Sequence, residues 1–309
     1  MPLNLLITGA SGMLGYNLCR IASVEHSVTG VYYSNEIHID SVEMIKADLT
    51  DQRSVKNLVS DRRFDAVIHT AAFSSPGYCQ QNPEETAMLN VDTVKSFCRA
   101  CRRSGTGFVF TSSDLVFNGK NPPYKEDATL SPVNAYGEQK AEAERIVKKA
   151  SKDFTVCRMP LLFGDPSPCS NSFIQHLIHS LRATRSIVLF TDEYRTPVSA
   201  VSAGYGLLMA AEGRLGGGTV HLGGRTRISR YMIGVKLAEL MGCDTTLVKG
   251  NLQRDKTFAA PRPPDVSLDS SYAYGKGFGV PELTQDLLRL RCVLEETLDY
   301  NRASGDCAE

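Results

Sequence analysis

The chain has 309 residues, with 34 Lys and Arg balancing 34 Asp and Glu, so net charge gives no reason to expect nucleic acid or an anionic membrane as a partner. A hydrophobic share of 42% is that of an ordinary globular protein long enough to bury a large core. No apolar run is long enough to span a bilayer, and no basic leader or cleavage pattern precedes the first strand-like run, so a cytoplasmic protein without a signal peptide is expected.

In chain order, Leu3–Thr8 reads as a strand, Met13–Ser23 as a helix and Ser27–Tyr33 as a second strand. Met44–Ala47 reads as a third strand, Ser54–Ser60 as a helix and Ala66–Thr70 as a fourth strand. A helix from about Pro83 to Arg103, a strand Gly107–Ser112, a helix from about Asn134 to Ala150 and a strand Phe154–Met159 follow. This alternation implies an α/β fold: a doubly wound parallel sheet of the Rossmann kind, with ligands bound beyond the carboxyl ends of the strands.

After Phe163 the elements shorten and prolines multiply. Helices are expected at Ser172–Arg182, Ala203–Glu212, Ser229–Met241 and Leu283–Tyr300. The division expected is a nucleotide domain over 1–164, with 196–222 packing back on it. Residues 165–195 and 223–300 would form a smaller C-terminal substrate-binding lobe, and 304–309 a loose tail.

The segment Thr8-Gly9-Ala10-Ser11-Gly12-Met13-Leu14-Gly15 joins the first strand to the first helix. Such a turn brings backbone N–H groups and the positive end of a helix dipole to a dinucleotide pyrophosphate. Glycines also end strands for purely structural reasons, and the spacing here is G-x-x-G-x-x-G. Cys98 and Cys101 make the one C-x-x-C among nine cysteines and read as packing residues in a reduced protein. His176 and His179 have helical spacing but no carboxylate or Cys to complete a metal site, and no metal is expected.

Tyr136 and Lys140 form a Y-x-x-x-K pair on one face of a helix. A nearby ammonium would stabilise a phenolate and bring the tyrosine toward useful acid–base chemistry, although a pair at this spacing is also common on helix surfaces. Upstream, the strand-end run Thr111-Ser112-Ser113-Asp114-Leu115 offers hydroxyls to a carbonyl or, alternatively, a turn or helix cap.

The glycine turn, the strand-end serine and the Y-x-x-x-K helix, in that order, resemble the extended short-chain dehydrogenase/reductase family over essentially the whole chain. Ser112-Ser113-Asp114-Leu115-Val116-Phe117-Asn118-Gly119 and Ala260-Pro261-Arg262-Pro263 resemble its dTDP-4-dehydrorhamnose reductase-like branch. The resemblance implies a triad of Ser113, Tyr136 and Lys140, with Tyr136 donating the proton, Ser113 holding the carbonyl oxygen, and Lys140 binding the nicotinamide ribose and lowering the Tyr136 pKa. It implies cofactor contacts at Gly9, Ser11, Gly12, Met13, Leu14, Ser34 and Asn35, at Asp48, Leu49, Ala71, Ala72 and Phe73, and at Asn90, Thr111 and Met159. Substrate contacts are implied at Ser113, Asp114, Leu161 and Arg262, with Arg262 open to either a phosphate contact or a structural role.

Sugar-nucleotide dehydratases of this superfamily carry an Asp-Glu pair after the triad hydroxyl. Here the pair is Asp114-Leu115, and leucine cannot move a proton, which favours a reductase. Ser74-Ser75-Pro76-Gly77-Tyr78-Cys79 replaces an acidic stretch of the family, and Leu161 stands where its members carry Trp. The missing aromatic at Leu161 puts a thymidine-linked sugar in doubt. After the second strand Ser34-Asn35 carries no carboxylate, which favours NADP over NAD, although Glu36 follows closely. The implied function is NAD(P)H-dependent reduction of a ketone on a sugar, most simply a nucleotide sugar. The alternatives are a non-catalytic NADP-binding regulatory subunit similar to the methionine adenosyltransferase beta subunit, or a sugar-nucleotide epimerase. A homodimer is left open.

Overall fold

The structure is a computed structural model that describes residues 1–170 and 172–290. The first half lays down β1 (Asn4–Thr8), α1 (Met13–Ala22), β2 (Ser27–Tyr32), β3 (Val42–Lys46), α2 (Gln52–Ser60) and β4 (Ala66–His69). Next come α3 (Pro76–Gln81), α4 (Pro83–Ala87), a π turn at Met88–Asp92, α5 (Thr93–Ser104), β5 (Gly107–Ser113), α6 (Ala135–Ala150) and β6 (Thr155–Met159). Helix α3 was not expected from the sequence. Ser75 caps it by accepting from Tyr78 N, and Pro76 occupies its first turn, where a missing N–H costs nothing.

The later elements are β7 (Leu162–Phe163), α7 (Phe173–Arg182), β8 (Ile187–Phe190), β9 (Tyr194–Arg195), β10 (Val198–Ser199) and α8 (Ala200–Ala211). They continue with β11 (Gly218–His221), β12 (Ile228–Ser229), α9 (Arg230–Met241), β13 (Val248–Asn251) and α10 (Ser271–Gly275). Residues 283–290 are helical. The rest of the helix expected over 283–300 and the tail expected at 304–309 lie outside the described residues.

Seven parallel strands form the central sheet in the order β11-β6-β5-β4-β1-β2-β3. Side chains alternate across it as strand geometry requires. On one face Leu5, Ile7 and Ile68 pack with Leu18 and Cys19 of α1 and Ala203 and Leu207 of α8. On the other face Leu6, Val67 and Phe108 meet Val55 of α2, Phe97 and Cys101 of α5 and Val147 of α6. Cys98 and Cys101 are buried on that second face. This is the doubly wound sheet that the alternation of elements implies.

A third cluster gathers Phe163, Ile174, Leu177, Ile178, Ile233 and Leu237 with Leu283 and Leu287, joining α7, α9 and the helical residues 283–290. Two-stranded pairs, β13 with β8 and β12 with β9, tie this part together. Strand β11 is the late return of the chain, pairing with β6 at the edge of the central sheet.

Candidate active site

Strand β5 delivers Ser113 to the carboxyl edge of the sheet, and the chain then makes one tight turn over Asp114–Val116. The Ser113 hydroxyl fixes that turn: Oγ accepts from Leu115 N at 3.1 Å and donates to Asp114 Oδ1 at 3.0 Å. Helix α6 starts beside it, capped by Asn134, whose Oδ1 accepts from Gly137 N at 2.9 Å. A Cβ on Gly137 would fall on the carbonyl oxygen of Leu115, so glycine is what lets α6 press against the turn. That close approach brings Tyr136 to Ser113. Tyr136 and Lys140, one helical turn apart, are both buried and not a surface pair.

Lys140 Nζ donates to the Thr111 carbonyl at 2.9 Å and sits 4.8 Å over the Phe110 ring and 5.9 Å from the Tyr136 ring. Burial pulls its pKa down to about 8, against the opposing pull of Cys79 and Glu144. The expected depression of Tyr136 is not found. Burial pushes its pKa well above the ordinary phenol value, Asp114 and Cys79 add to that, and only the facing Ser113 hydroxyl opposes it. A deeply buried phenol without an ammonium in direct contact keeps its proton. Such a tyrosine is suited to donating.

These groups form the floor of a cleft of about 630 Å³. At one end lie Gly9, Gly12, Met13 and Leu14. Gly9 has φ of 71°, and a Cβ there would meet the Ala71 backbone at 2.8 Å, so the turn can pass close to β4 only as glycine. No side chain caps the first turn of α1, whose N-cap is Gly12, which leaves its amides open to an anion. A dinucleotide pyrophosphate fits this end, with Thr111, Lys140 and Met159 further along the same wall.

The far end is built on Glu193. This fully buried carboxylate accepts from Arg230 Nε at 3.0 Å and from Arg262 Nε and Nη2 at 3.0 Å each, with Arg195 Nη2 at 3.4 Å. Burial alone would raise the pKa of Glu193, but Arg230, Arg195 and Arg262 hold it at about 2. Arg262 also lies 5.2 Å from the Phe258 ring. Arg195 reaches back toward the triad, with Nε 3.4 Å from Asp114 Oδ2. Among the described residues Asp114 Oδ2 has no hydrogen-bond partner, and burial is the main cause that lifts the Asp114 pKa to about 6.

A model of the RmlD substrate binding domain family matches residues 3–290. The chain belongs to that family. It is 28% identical over 295 residues to the probable low-salt glycan biosynthesis reductase Agl14 of Haloferax volcanii, covering 94% of this chain and 98% of that one. It is 27% identical over 286 residues to methionine adenosyltransferase 2 subunit beta of Xenopus laevis, covering 89% and 82%. A crystal structure of a hypothetical dTDP-4-dehydrorhamnose reductase from Sulfolobus tokodaii matches with a TM-score of 0.78 at 30% identity, covering 89% and 94%. The dTDP-4-dehydrorhamnose reductase of Bacillus anthracis, solved in complex with NADP, shares the fold with a TM-score of 0.83 at 21% identity, covering 94% and 99%. This is the branch of the extended short-chain dehydrogenase/reductases that the sequence motifs resemble.

Not every residue that the RmlD-family resemblance singles out faces the cleft. Gly9, Gly12, Met13, Leu14, Ala72, Thr111 and Met159 line it, as do Asp114, Leu161, Arg262 and the triad. Asn90 does not: its Nδ2 donates to Gln139 Oε1 at 2.7 Å and to the Phe73 carbonyl, and its Oδ1 accepts from Phe73 N. Its polar atoms fix the Phe73 turn to α6. Ala71 N turns inward to Thr8 Oγ1, and Phe73 packs with Tyr136 and Cys79.

Ser11 turns its carbonyl to Ser167 Oγ at 2.7 Å. Ser34 and Asn35 are exposed beyond β2, Asp48 accepts from Thr50, and Leu49 is buried, none of them on the cleft wall. Arg262 is held by Glu193 along two hydrogen bonds at the cleft rim. Glu193, Arg195 and Arg230 were missed by the sequence reading. They lie in short polar stretches with no motif, and only the fold brings them together.

Proposed function

We propose that the protein is an NADPH-dependent reductase of a ketone carried on a nucleotide-linked sugar. The observation that carries this reading is the convergence of Ser113, Tyr136 and Lys140 on the floor of one cleft, between an uncapped glycine turn and an arginine-lined end. A reduced nicotinamide dinucleotide lying from the Gly9–Leu14 turn toward Thr111 would supply the hydride. Tyr136, kept protonated by burial, donates the proton to the oxygen that becomes the alcohol, and Ser113 orients that oxygen. Lys140, anchored on the Thr111 carbonyl, retains N–H groups for the ribose hydroxyls.

Three guanidiniums around one ionised carboxylate leave positive charge at the far end, which suits the phosphates of an activated sugar. Leu161 and Phe258 give that end apolar surface, without a tryptophan. The relatives with reductase names support the activity, and the Bacillus anthracis protein, solved with NADP, supports the cofactor. The test is NADPH oxidation across a panel of nucleotide-linked and free ketosugars, with Tyr136→Phe as control. If no ketone is turned over in a Tyr136-dependent way, the reading fails.

A second reading is a regulatory subunit that binds a dinucleotide without turning it over. It is favoured by the similarity to methionine adenosyltransferase 2 subunit beta, almost as high as that to the glycan reductase. Binding of NADPH with no ketone reduced, together with capture of a methionine adenosyltransferase catalytic subunit, would select it.

A further inference from the structure

We propose that Asp114 is a positioning residue whose protonation turns the Ser113 hydroxyl from an internal hydrogen bond toward the substrate carbonyl. The proposal rests on the reductase reading above. A serine hydroxyl has one proton to give and two lone pairs to fill. In the structure Ser113 gives its proton to Asp114 Oδ1 at 3.0 Å and fills one lone pair from Leu115 N at 3.1 Å. The remaining lone pair faces the Tyr136 hydroxyl. In this arrangement Ser113 has no proton to offer a carbonyl.

An ionised carboxylate only accepts, so the arrangement is enforced while Asp114 carries its charge. Protonation on Oδ1 reverses it. The acid O–H then donates to Ser113 Oγ, both serine lone pairs are filled, and the serine proton is released. No bond to carbon changes in this step: one proton is taken up by Asp114 from solvent through the cleft that it lines, and the serine hydroxyl rotates.

The surroundings leave Asp114 free to make this change. It is 3% exposed, and Oδ2 has no hydrogen-bond partner among the described residues. The charged and titratable groups around it come from β9 and the residue before it, α9, α6 and α3. Arg195 of β9 has Nε 3.4 Å from Oδ2 but shares its guanidinium with Glu193. Arg230 of α9 favours the ionised form and Glu193 opposes it, while Tyr136 of α6, with Cys79 of α3 and Lys140 beyond it, lies across Ser113. Burial outweighs both arginines, so Asp114 changes charge near pH 6.

The experiment is the pH dependence of kcat for ketone reduction by the wild type and by Asp114→Asn, on a ketone that the wild type turns over. The wild-type kcat should fall as the pH rises through about 6. In Asp114→Asn the amide can donate to Ser113 at every pH, so the low-pH rate should persist and the step should vanish. A step that survives in Asp114→Asn, or no step in the wild type, overturns the proposal.

A second measurement does not need that variant to fold. The infrared band of a protonated carboxyl in the wild type should disappear as the pH rises through about 6 and shift in frequency in Ser113→Ala. An absent or unshifted band overturns the proposal. Failure of the parent reading looks different: the wild type then reduces nothing in the panel, and the infrared arm alone judges the hydrogen-bond reversal.

Discussion

Glu193 grips Arg262 at both ends of its fork, Oε2 taking Nε and Oε1 taking Nη2, each at 3.0 Å, while Oε1 also accepts from Arg230. Removing that single charge leaves three guanidiniums facing one another with only Asp114, beside Arg195, to oppose them. Glu193→Gln should therefore destabilise the fold by about 3–5 kcal/mol, the range for breaking a buried pair by deleting one partner. Urea unfolding measures it, and a loss below about 1 kcal/mol would mean that the arginines find other partners.

The same carboxylate sets an acid limb. Its folded pKa of about 2 is below the ordinary 4.5, so its contribution is complete above 4.5 and disappears as the pH falls toward 2. Stability of the wild type minus that of Glu193→Gln should shrink across that window, by about 3 kcal/mol in total. A difference that stays flat from pH 5 downward would show that Glu193 is not held ionised by the cluster.

Tyr136→Phe keeps the buried ring and removes the proton. Turnover of a ketone that the wild type reduces should fall by a factor of about 100 or more, with cofactor affinity nearly unchanged. Steady-state rates beside a fluorescence titration with NADPH separate the two effects. Activity that survives would assign the proton to another group.

Lys140→Met removes a buried ammonium and leaves the Thr111 carbonyl without its donor. NADPH should bind at least about tenfold more weakly, the equivalent of one charge-assisted hydrogen bond, and kcat should fall too. Unchanged affinity in the titration would confine Lys140 to a structural bond with Thr111.

Cofactor choice is expected to be set beyond β2, where Ser34 and Asn35 are exposed and the Glu36 carboxylate interacts with the Tyr32 hydroxyl. With Glu36 drawn to Tyr32, a 2′-phosphate meets hydroxyl and amide groups first, so NADPH should bind more tightly than NADH. Glu36→Gln should leave that order unchanged. Tighter NADH binding that Glu36→Gln reverses would place the carboxylate on the ribose.

Much of this molecule was legible in the sequence because its elements carry local signals. Leu5, Leu6 and Ile7 announce a strand buried on both faces, Gly9 and Gly12 announce the turn, and the four-residue spacing of Tyr136 and Lys140 announces a shared helix face. What was not legible depends on distant partners. Met88–Asp92 widens into a π turn inside a segment with ordinary helical periodicity, and Asn90 within it is committed to Gln139 and Phe73. The state of Tyr136 likewise depends on burial and on Asp114 and Cys79 more than on the lysine one turn away. Arg262 is tied to Glu193, 69 residues earlier, a pairing that no local pattern announces.

Because β11 arrives after the chain has already left the sheet, β6 has no neighbour on its outer side until residue 218 is in place. A polypeptide stopped at residue 164 would contain the glycine turn and the whole triad, yet present a bare row of amides and carbonyls on β6 and lack the α8 cover over Leu5 and Ile7. During synthesis that unfinished edge is a template for pairing with another nascent chain. The expected outcome is that a 1–164 fragment is recovered insoluble while the full chain is not, a difference that centrifugation of the two lysates would show. The half that carries Ser113, Tyr136 and Lys140 is therefore not expected to work as a module that can be cut out and moved: its sheet is closed by residues the ribosome has yet to make.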